Sequence, residues 1–214
     1  MKIAKAHAAV VLGCFAVLCA GPAAAQTDEQ KQKAAEQKQP EMSPEQKAQM
    51  EAWTKAMTPG AEHKRLSEAV GTWNATVTMW ESPGAAPQVS QGVTKRRMAL
   101  GGRVLIDEWS GTMMGMPFEG LGTTGYDNVS KKWWGTWTDN TTTGVMTTRG
   151  TCDADPKKGC TYVGTMVNMM TGKDENNRQT VSWTSPDEER FTMYAKGPDG
   201  KEFRVMEIVS KRAK

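Results

Sequence analysis

Histidine is almost absent from this chain, with two residues among 214. So few imidazoles leave almost no room for a histidine-based zinc site or catalytic triad. The 27 basic and 24 acidic side chains nearly cancel, to a formal charge of +3, so the strongly basic character of a nucleic-acid-binding protein is also missing. The composition therefore argues against both kinds of site, and the length suits one domain with extensions.

Apolar residues run together at the amino terminus, where residues 1–25 have the three parts of a secretory signal peptide. A basic start is followed by an apolar run over 8–20 and by small residues up to Ala25. The apolar run is too short for a membrane-spanning helix. We therefore expect cleavage after Ala25 and a secreted, periplasmic protein without a membrane span.

Cleavage at that point would leave two of the four cysteines, Cys152 and Cys160, and one histidine, His63. The two cysteines enclose a turn-rich segment between two strand-like runs, and an oxidising compartment allows them to form a disulfide across a hairpin. We expect His63 to have a structural role at the junction between a helical segment and the strand-rich domain that follows it, both of which are described below. Two cysteines alone cannot complete a zinc site, so no metal is expected there.

The segment 26–42 is rich in Gln, Lys and Glu and has no apolar period, which predicts a disordered polar spacer. An amphipathic helix is predicted over 43–58, because Ser43 is a good N-cap and proline follows it at the first helical position. Its apolar stripe consists of Met50, Trp53 and Met57. We expect the stripe to pack on its own domain, and docking to a partner or a membrane surface is the alternative.

Over 59–214 the pattern changes to short runs that alternate with period two and are separated by Gly, Pro and Asn turn signals. About ten such runs follow one another with no helix-length segment among them. We predict an all-β fold, a single antiparallel up-and-down β-barrel of about ten strands preceded by a short helix. The string Gly120–Gly125 matches a dinucleotide-binding fingerprint, but a strand follows it where a helix is needed, so no such cofactor is expected.

The start of this domain, a short helix followed by Gly71-Thr72-Trp73, resembles the calycins, which include lipocalins and fatty-acid-binding proteins. The resemblance implies that Trp73 closes one end of the barrel. It also implies that a basic residue of the last strand, Lys211 or Arg212, covers the tryptophan.

Longer strings give a closer resemblance over roughly residues 45–212. They are Pro59–Lys64, Gly71–Trp73, Met79-Trp80, Gly101–Arg103, Gly111–Gly120, Gly125–Asn128, Met170–Lys173 and Gly197–Phe203. Together they resemble the bacterial family catalogued as domain of unknown function 1579. The resemblance implies the barrel domain and carries over no catalytic residues.

Charged residues on apolar strand faces supply the candidate ligand site. Period-two alternation places Glu207 on the face of Val205 and Val209, and Arg97 and Glu108 fall on similar faces of their strands. Since a buried charge needs a partner, we predict an Arg97–Glu108–Glu207 group that orients the polar part of a ligand. Met79, Trp137 and Met193 would contact its apolar part. The alternatives are that the charges pair only with each other, or that bulges place them in solvent.

Methionine is unusually abundant, with fifteen residues. Thioethers suit Cu(I), so Met113 and Met116 are candidate copper ligands, but an adaptable apolar cavity is the favoured interpretation. An enzyme would have to use Glu108 and Glu207 as an acid–base pair, and no nucleophile accompanies them.

We therefore expect non-covalent binding or carriage of a small, partly apolar molecule inside the barrel, with no cofactor and no catalysis. The main alternative is a barrel filled with side chains that acts as an interaction or stress module of the cell envelope.

Overall fold

Ten antiparallel strands close into a barrel in the part of the chain that the computed structural model describes, which is residues 42–155, 157–197 and 199–214. The strands are β1 Gly71–Met79, β2 Gln88–Ala99, β3 Val104–Met113, β4 Met116–Asp127, β5 Lys132–Asp139, β6 Met146–Cys152, β7 Cys160–Val167, β8 Asp174–Ser185, β9 Glu188–Lys196 and β10 Glu202–Arg212. Each strand pairs with the next along the chain, and β10 returns to pair with β1. The predicted all-β, up-and-down barrel of ten strands is confirmed.

Short turns join the strands, and their residues explain the tight connections. Between β3 and β4 the two turn residues are Met114 and Gly115, with φ of 52° and 78°. Two successive positive φ angles are typical of the type I′ turn, whose twist matches that of the flanking strands. This turn places Met113 directly opposite Met116 at the end of the hairpin.

In the described residues two helices precede the barrel, α1 over Pro44–Met57 and α2 over Ala61–Ser67. At the start of α2, the Nδ1 atom of His63 accepts a hydrogen bond from the Gly60 N–H at 3.1 Å. The buried imidazole also meets the Tyr126 ring edge-on, with the ring centroids 5.9 Å apart. These contacts join the helix to the end of β4.

The apolar stripe of α1 does not pack on the barrel, contrary to the sequence-based expectation. Met50, Trp53 and Met57 are 47%, 61% and 49% exposed. The reason is that α1 is held by its last turn, where Asn128 and Arg103 bind main-chain carbonyl oxygens, rather than by its apolar face.

The core consists of two hydrophobic clusters. One lies at the α2 end and includes Leu66, Leu105 and Trp133. The other lies towards the opposite end and includes Val77, Trp109 and Phe118. The predicted signal peptide 1–25 and all but Met42 of the predicted spacer 26–42 lie outside the described residues. In the described part of the chain, no helix is long and apolar enough to cross a bilayer.

Candidate functional site: a cavity inside the barrel

A cavity of about 330 Å³ lies inside the barrel, lined by residues of α2 and of all ten strands. Its volume equals that of about ten water molecules at ~30 Å³ each. More than half of the lining residues are apolar or aromatic, and polar side chains supply the rest of the wall. This combination is typical of sites that bind small molecules.

Three aromatic rings form one wall of the cavity. The Trp109 and Phe118 centroids are 5.3 Å apart in an edge-on arrangement, and Phe118 stacks on Trp137 at 6.5 Å. Glycines in the neighbouring strands make room for the indoles, since a Cβ atom on Gly92 would overlap Trp109 and one on Gly120 would overlap Trp137. The glycines of the Gly120–Gly125 string therefore serve packing, as expected for a strand that bends around large side chains.

Arg96 on β2 is the centre of a buried ion-pair network in the cavity wall. Its Nε atom lies 3.0 Å from Asp107 Oδ2, and its two terminal nitrogens lie 3.0 and 2.8 Å from the two carboxylate oxygens of Glu189. Thr94 donates a hydrogen bond to the other oxygen of Asp107. The carboxylates raise the pKa of Arg96 against the opposing effect of burial, so the guanidinium stays charged. Each buried charge of the network is thereby paired.

Arg65, on α2, is a second guanidinium in the cavity wall. Its Nη1 atom donates to the Asp153 carbonyl oxygen at 2.7 Å, and its Cζ atom lies 5.3 Å from the centroid of the Trp183 ring. Its Nη2 atom is buried and has no hydrogen-bond partner among the described residues. This side chain thus retains an unused donor.

Tyr162 lies near Arg65 in the same wall. Burial raises the pKa of its phenol, the charge of Arg65 partly lowers it, and Glu189 raises it again. The phenol is therefore neutral and able to donate a hydrogen bond at neutral pH. Among the described residues, the hydrogen-bond partner of its hydroxyl is the Cys152 sulfur, at 3.5 Å.

The α2 end of the barrel is closed by Trp73 and Arg212. Trp73 is fully buried, and its Nε1 atom donates to the Ala69 carbonyl oxygen at 2.9 Å. The Arg212 guanidinium carbon lies 4.2 Å from the centroid of the Trp73 ring, and a Cβ atom on Gly71 would come within 2.9 Å of Arg212 Nη1. Of the two basic residues named from the calycin resemblance, the structure places Arg212, and not Lys211, over the tryptophan.

A family model described as a protein of unknown function, DUF1579, matches residues 58–212. The chain belongs to the DUF1579 family. No curated protein matches the sequence. The crystal structure of Rv2717c from M. tuberculosis is similar to the DUF1579 chain with a TM-score of 0.56 at 12% identity, over 73% of this chain and 100% of that one. A redesigned β-barrel is aligned with a TM-score of 0.37 at 18% identity, over 70% and 95% of the two chains. The first of these likenesses concerns the fold alone.

The DUF1579 barrel places Arg97, Glu108 and Glu207 on its outer face, not in the interior as predicted. Arg97 and Glu108 form an ion pair at 3.4 Å with side chains 59% and 51% exposed. Glu207 binds Arg190 at 2.8 Å and Arg204 at 3.0 Å. A bulge between Arg204 and Met206 shifts the alternation in β10, and in β2 and β3 the inward face is the one that carries Thr94, Arg96, Asp107 and Trp109.

Of the three residues predicted to contact the apolar part of a ligand, two line the cavity and the third packs beside it. Trp137 and Met193 line the cavity, and Met79 packs against the cluster of Val77, Trp109 and Phe118. Sequence reasoning missed the groups that supply the polar part of the wall, namely Arg65, Arg96, Asp107, Tyr162 and Glu189. In the run Thr94-Lys95-Arg96-Arg97, the sequence does not show which of the charged side chains points inward.

Methionines gather towards the end of the barrel away from α2. Met113, Met146, Met193 and Met206 line the cavity, whereas Met116 is 62% exposed. The candidate copper ligands Met113 and Met116 are neighbours across the hairpin turn, but Met113 faces the cavity and Met116 faces solvent. The described residues contain no group of three or more His, Cys, Asp or Glu side chains that could hold a metal ion.

Cys152 and Cys160 face each other where β6 ends and β7 begins. Their Cα atoms are 3.9 Å apart and their sulfur atoms lie at bonding distance. Both residues border the cavity at its α2 end, beside Tyr162.

Proposed function

We propose that the DUF1579 barrel binds a small, partly apolar molecule in its interior and acts as a carrier or binding protein for it. The cavity of about 330 Å³ is the observation that supports this function. Small-molecule sites in proteins begin near ~300 Å³ and combine apolar walls with a few placed polar groups. A barrel filled by its own side chains would leave no such space.

Both kinds of lining are present in the wall. Trp109, Phe118 and Trp137 offer flat apolar surfaces, and Met193 and Met206 are flexible side chains that adapt to the shape of a guest. Towards the α2 end, Arg65 and Tyr162 retain hydrogen-bond donors. A ligand with an apolar body and one polar end would match this division.

Binding rather than catalysis is proposed because the carboxylates considered for an acid–base pair lie outside the cavity. Glu108 and Glu207 are both on the outer face, each paired with arginine. Inside the cavity, Asp107 and Glu189 are both bound to Arg96. The third carboxylate of the wall, Asp139, accepts hydrogen bonds from the Trp137 indole N–H and from Thr141.

We propose further that the protein works in the periplasm. Residues 1–25 have the pattern of a cleaved signal peptide. The adjacent cysteines Cys152 and Cys160 suit an oxidising compartment, where the pair would form a disulfide.

The first test is native mass spectrometry of the protein purified from the periplasm of its own host. We expect a mature chain that begins at Gln26, a disulfide between Cys152 and Cys160, and a bound small molecule released on unfolding. Recovery of the protein from the cytoplasm with residues 1–25 intact would contradict the location.

A second test compares fluorophore binding by a variant whose new side chain fills the cavity with binding by a control variant. The neutral fluorophore 1-aminoanthracene should bind the purified protein with one-to-one stoichiometry, and Val181→Trp should abolish binding because Val181 lines the cavity. The matched control is Thr180→Trp, the neighbouring residue on β8, which does not line it. Absence of fluorophore binding together with absence of a retained ligand would refute the carrier function, as would equal binding by the two variants.

A further inference from the structure

We propose that the ligand carries an anionic oxygen, such as a carboxylate, and that Arg65 binds it. This inference rests on the proposed function and specifies the chemical class of the ligand. It is carried by the unpartnered donor of Arg65 in the cavity wall.

The Arg65 guanidinium is held in place by groups that do not neutralise it. Its Nη1 atom binds a main-chain carbonyl oxygen, and its Cζ atom lies 5.3 and 6.0 Å from the ring centroids of Trp183 and Trp133. Aromatic faces stabilise a cation without removing its charge. A buried nitrogen without an acceptor is unfavourable, and the great majority of such groups in native proteins are bonded.

No carboxylate of the cavity wall completes this arginine. Arg96 binds both oxygens of Glu189 and one oxygen of Asp107, and the remaining Asp107 oxygen accepts a hydrogen bond from Thr94. The third carboxylate, Asp139, accepts hydrogen bonds from the Trp137 indole N–H and from Thr141. Among the described residues Arg65 takes part in no ion pair. The acceptor that its Nη2 atom lacks would therefore come from a molecule in the cavity.

Tyr162 supplies a second donor near the same place. Among the described residues its neutral hydroxyl has a hydrogen bond only with a sulfur atom, and sulfur is a weak acceptor. An anionic oxygen could accept hydrogen bonds from both side chains, and charge-assisted bonds of this kind are the strong ones. The apolar part of the ligand would then extend towards Trp137 and the methionines.

The experiment compares ligands that share an alkyl chain and differ in the charge of the polar end. Decanoate and decylammonium are titrated at pH 7.5 against protein that holds 1-aminoanthracene, and displacement is followed by fluorescence. We expect decanoate to displace the fluorophore at a concentration about tenfold or more below that of decylammonium, as for one hydrogen bond to a charged group.

Arg65→Met should remove this preference, which is the ratio of the two displacement concentrations in the same variant and so does not depend on how tightly that variant binds 1-aminoanthracene. Lys64→Met is the matched control, because Lys64 is exposed on the same helix and should leave the preference intact. Arg65→Lys keeps the charge but loses the forked donor group, so an intermediate preference is expected. Circular dichroism and thermal unfolding show whether each variant is folded.

The outcomes separate this inference from the proposed function. If 1-aminoanthracene does not bind at all, the binding function itself fails. If it binds but decanoate has no advantage, or if the advantage survives Arg65→Met, the inference about Arg65 is wrong. The latter result would mean that Arg65 only balances the surplus negative charge of the network formed by Arg96, Asp107 and Glu189.

Discussion

Arg96 satisfies two buried carboxylates at once, with three of its nitrogens bound to Asp107 and Glu189. Its side chain is 9% exposed, so the network is shielded from water. Removing one partner from such a network leaves uncompensated charge in the interior, which costs far more than the loss of an exposed ion pair. The neighbouring Arg97 offers the comparison, since it forms an exposed pair with Glu108.

Arg96→Met should lower the free energy of unfolding by about 3–5 kcal/mol. Arg97→Met should change it by less than about 1 kcal/mol, because exposed pairs contribute little. Urea denaturation of the two variants measures both values. Similar losses in the two variants would show that the assignment of inner and outer faces along β2 is incorrect.

Tyr162 makes the free energy of unfolding depend on pH in the alkaline range. Its pKa is raised in the folded protein, chiefly by burial, above its ordinary value near 10. Below pH 10 the phenol is neutral in both states, whereas above it the unfolded chain loses the proton first. The contribution of Tyr162 to stability is therefore complete below pH 10 and is lost as the pH rises above it.

Tyr162→Phe should abolish this part of the pH dependence. The difference in unfolding free energy between parent and variant should be constant from pH 7 to 9. By pH 11 the parent should have lost stability relative to the variant. Urea unfolding at each pH provides the measurement, and Tyr194→Phe, on the outer face of β9, is the control. A difference that stays constant up to pH 11 would contradict the burial of the phenol.

The strands show which structural features an alternating sequence pattern can predict. In β1 the apolar face of Trp73, Ala75 and Val77 is buried, as its alternation indicates. In β3 both faces carry aliphatic residues: Val104 and Ile106 lie on the outer face, whereas Leu105 lines the cavity together with the charged Asp107. Alternation identifies strands because both patterns have period two, but it chooses the inner face only when that face is the more apolar one.

The site was harder to predict than the fold for the same reason. A cavity with polar groups in its wall puts residues such as Thr94 and Arg96 where a solid core would have valine or leucine. The exact network depends on β9 meeting β2 and β3 across the barrel, and Glu189 is 93 residues from Arg96 along the chain. The bulge in β10 has no signal in the sequence, yet it reverses the direction of Glu207.

Helix α1 is attached to the barrel at one end. The Nδ2 atom of Asn128, in the turn after β4, lies 2.8 Å from the Thr58 carbonyl oxygen and 3.1 and 3.3 Å from those of Lys55 and Ala56. These are carbonyl groups that the end of a helix leaves without partners. Arg103 adds a bond to the Met57 carbonyl oxygen at 2.6 Å.

Asn128→Ala should loosen α1 and leave the barrel intact. We expect faster hydrogen exchange over residues 46–57, corresponding to a local loss of about 1 kcal/mol, and an unchanged exchange pattern in the strands. Asn140→Ala is the control, because Asn140 makes comparable bonds to β4 at a different turn. Unchanged exchange in α1 would mean that other contacts hold the helix.

Closure of the barrel depends on the pairing of its first and last strands, since a closed sheet leaves no edge exposed. Arg212 reinforces this seam at the point where the chain begins and ends the barrel. Its guanidinium binds the carbonyl oxygens of Val70 and Glu68 at 2.6 and 2.8 Å and the Asp187 carboxylate at 2.8 Å. One side chain therefore connects β10, the residues before β1, and the turn between β8 and β9.

Arg212→Met should lower the free energy of unfolding by about 2–3 kcal/mol, because it removes several hydrogen bonds and the contact with the Trp73 ring. Lys211→Met, one residue away with an exposed side chain, should have an effect below about 1 kcal/mol. Urea denaturation measures the loss, and hydrogen exchange locates it. If the seam is the weak point of the closed sheet, exchange should quicken first in β1 and β10, because each then loses a neighbour that the other strands keep. Uniform acceleration around the barrel would instead mean that Arg212 stabilises the whole sheet and has no particular role in closing it.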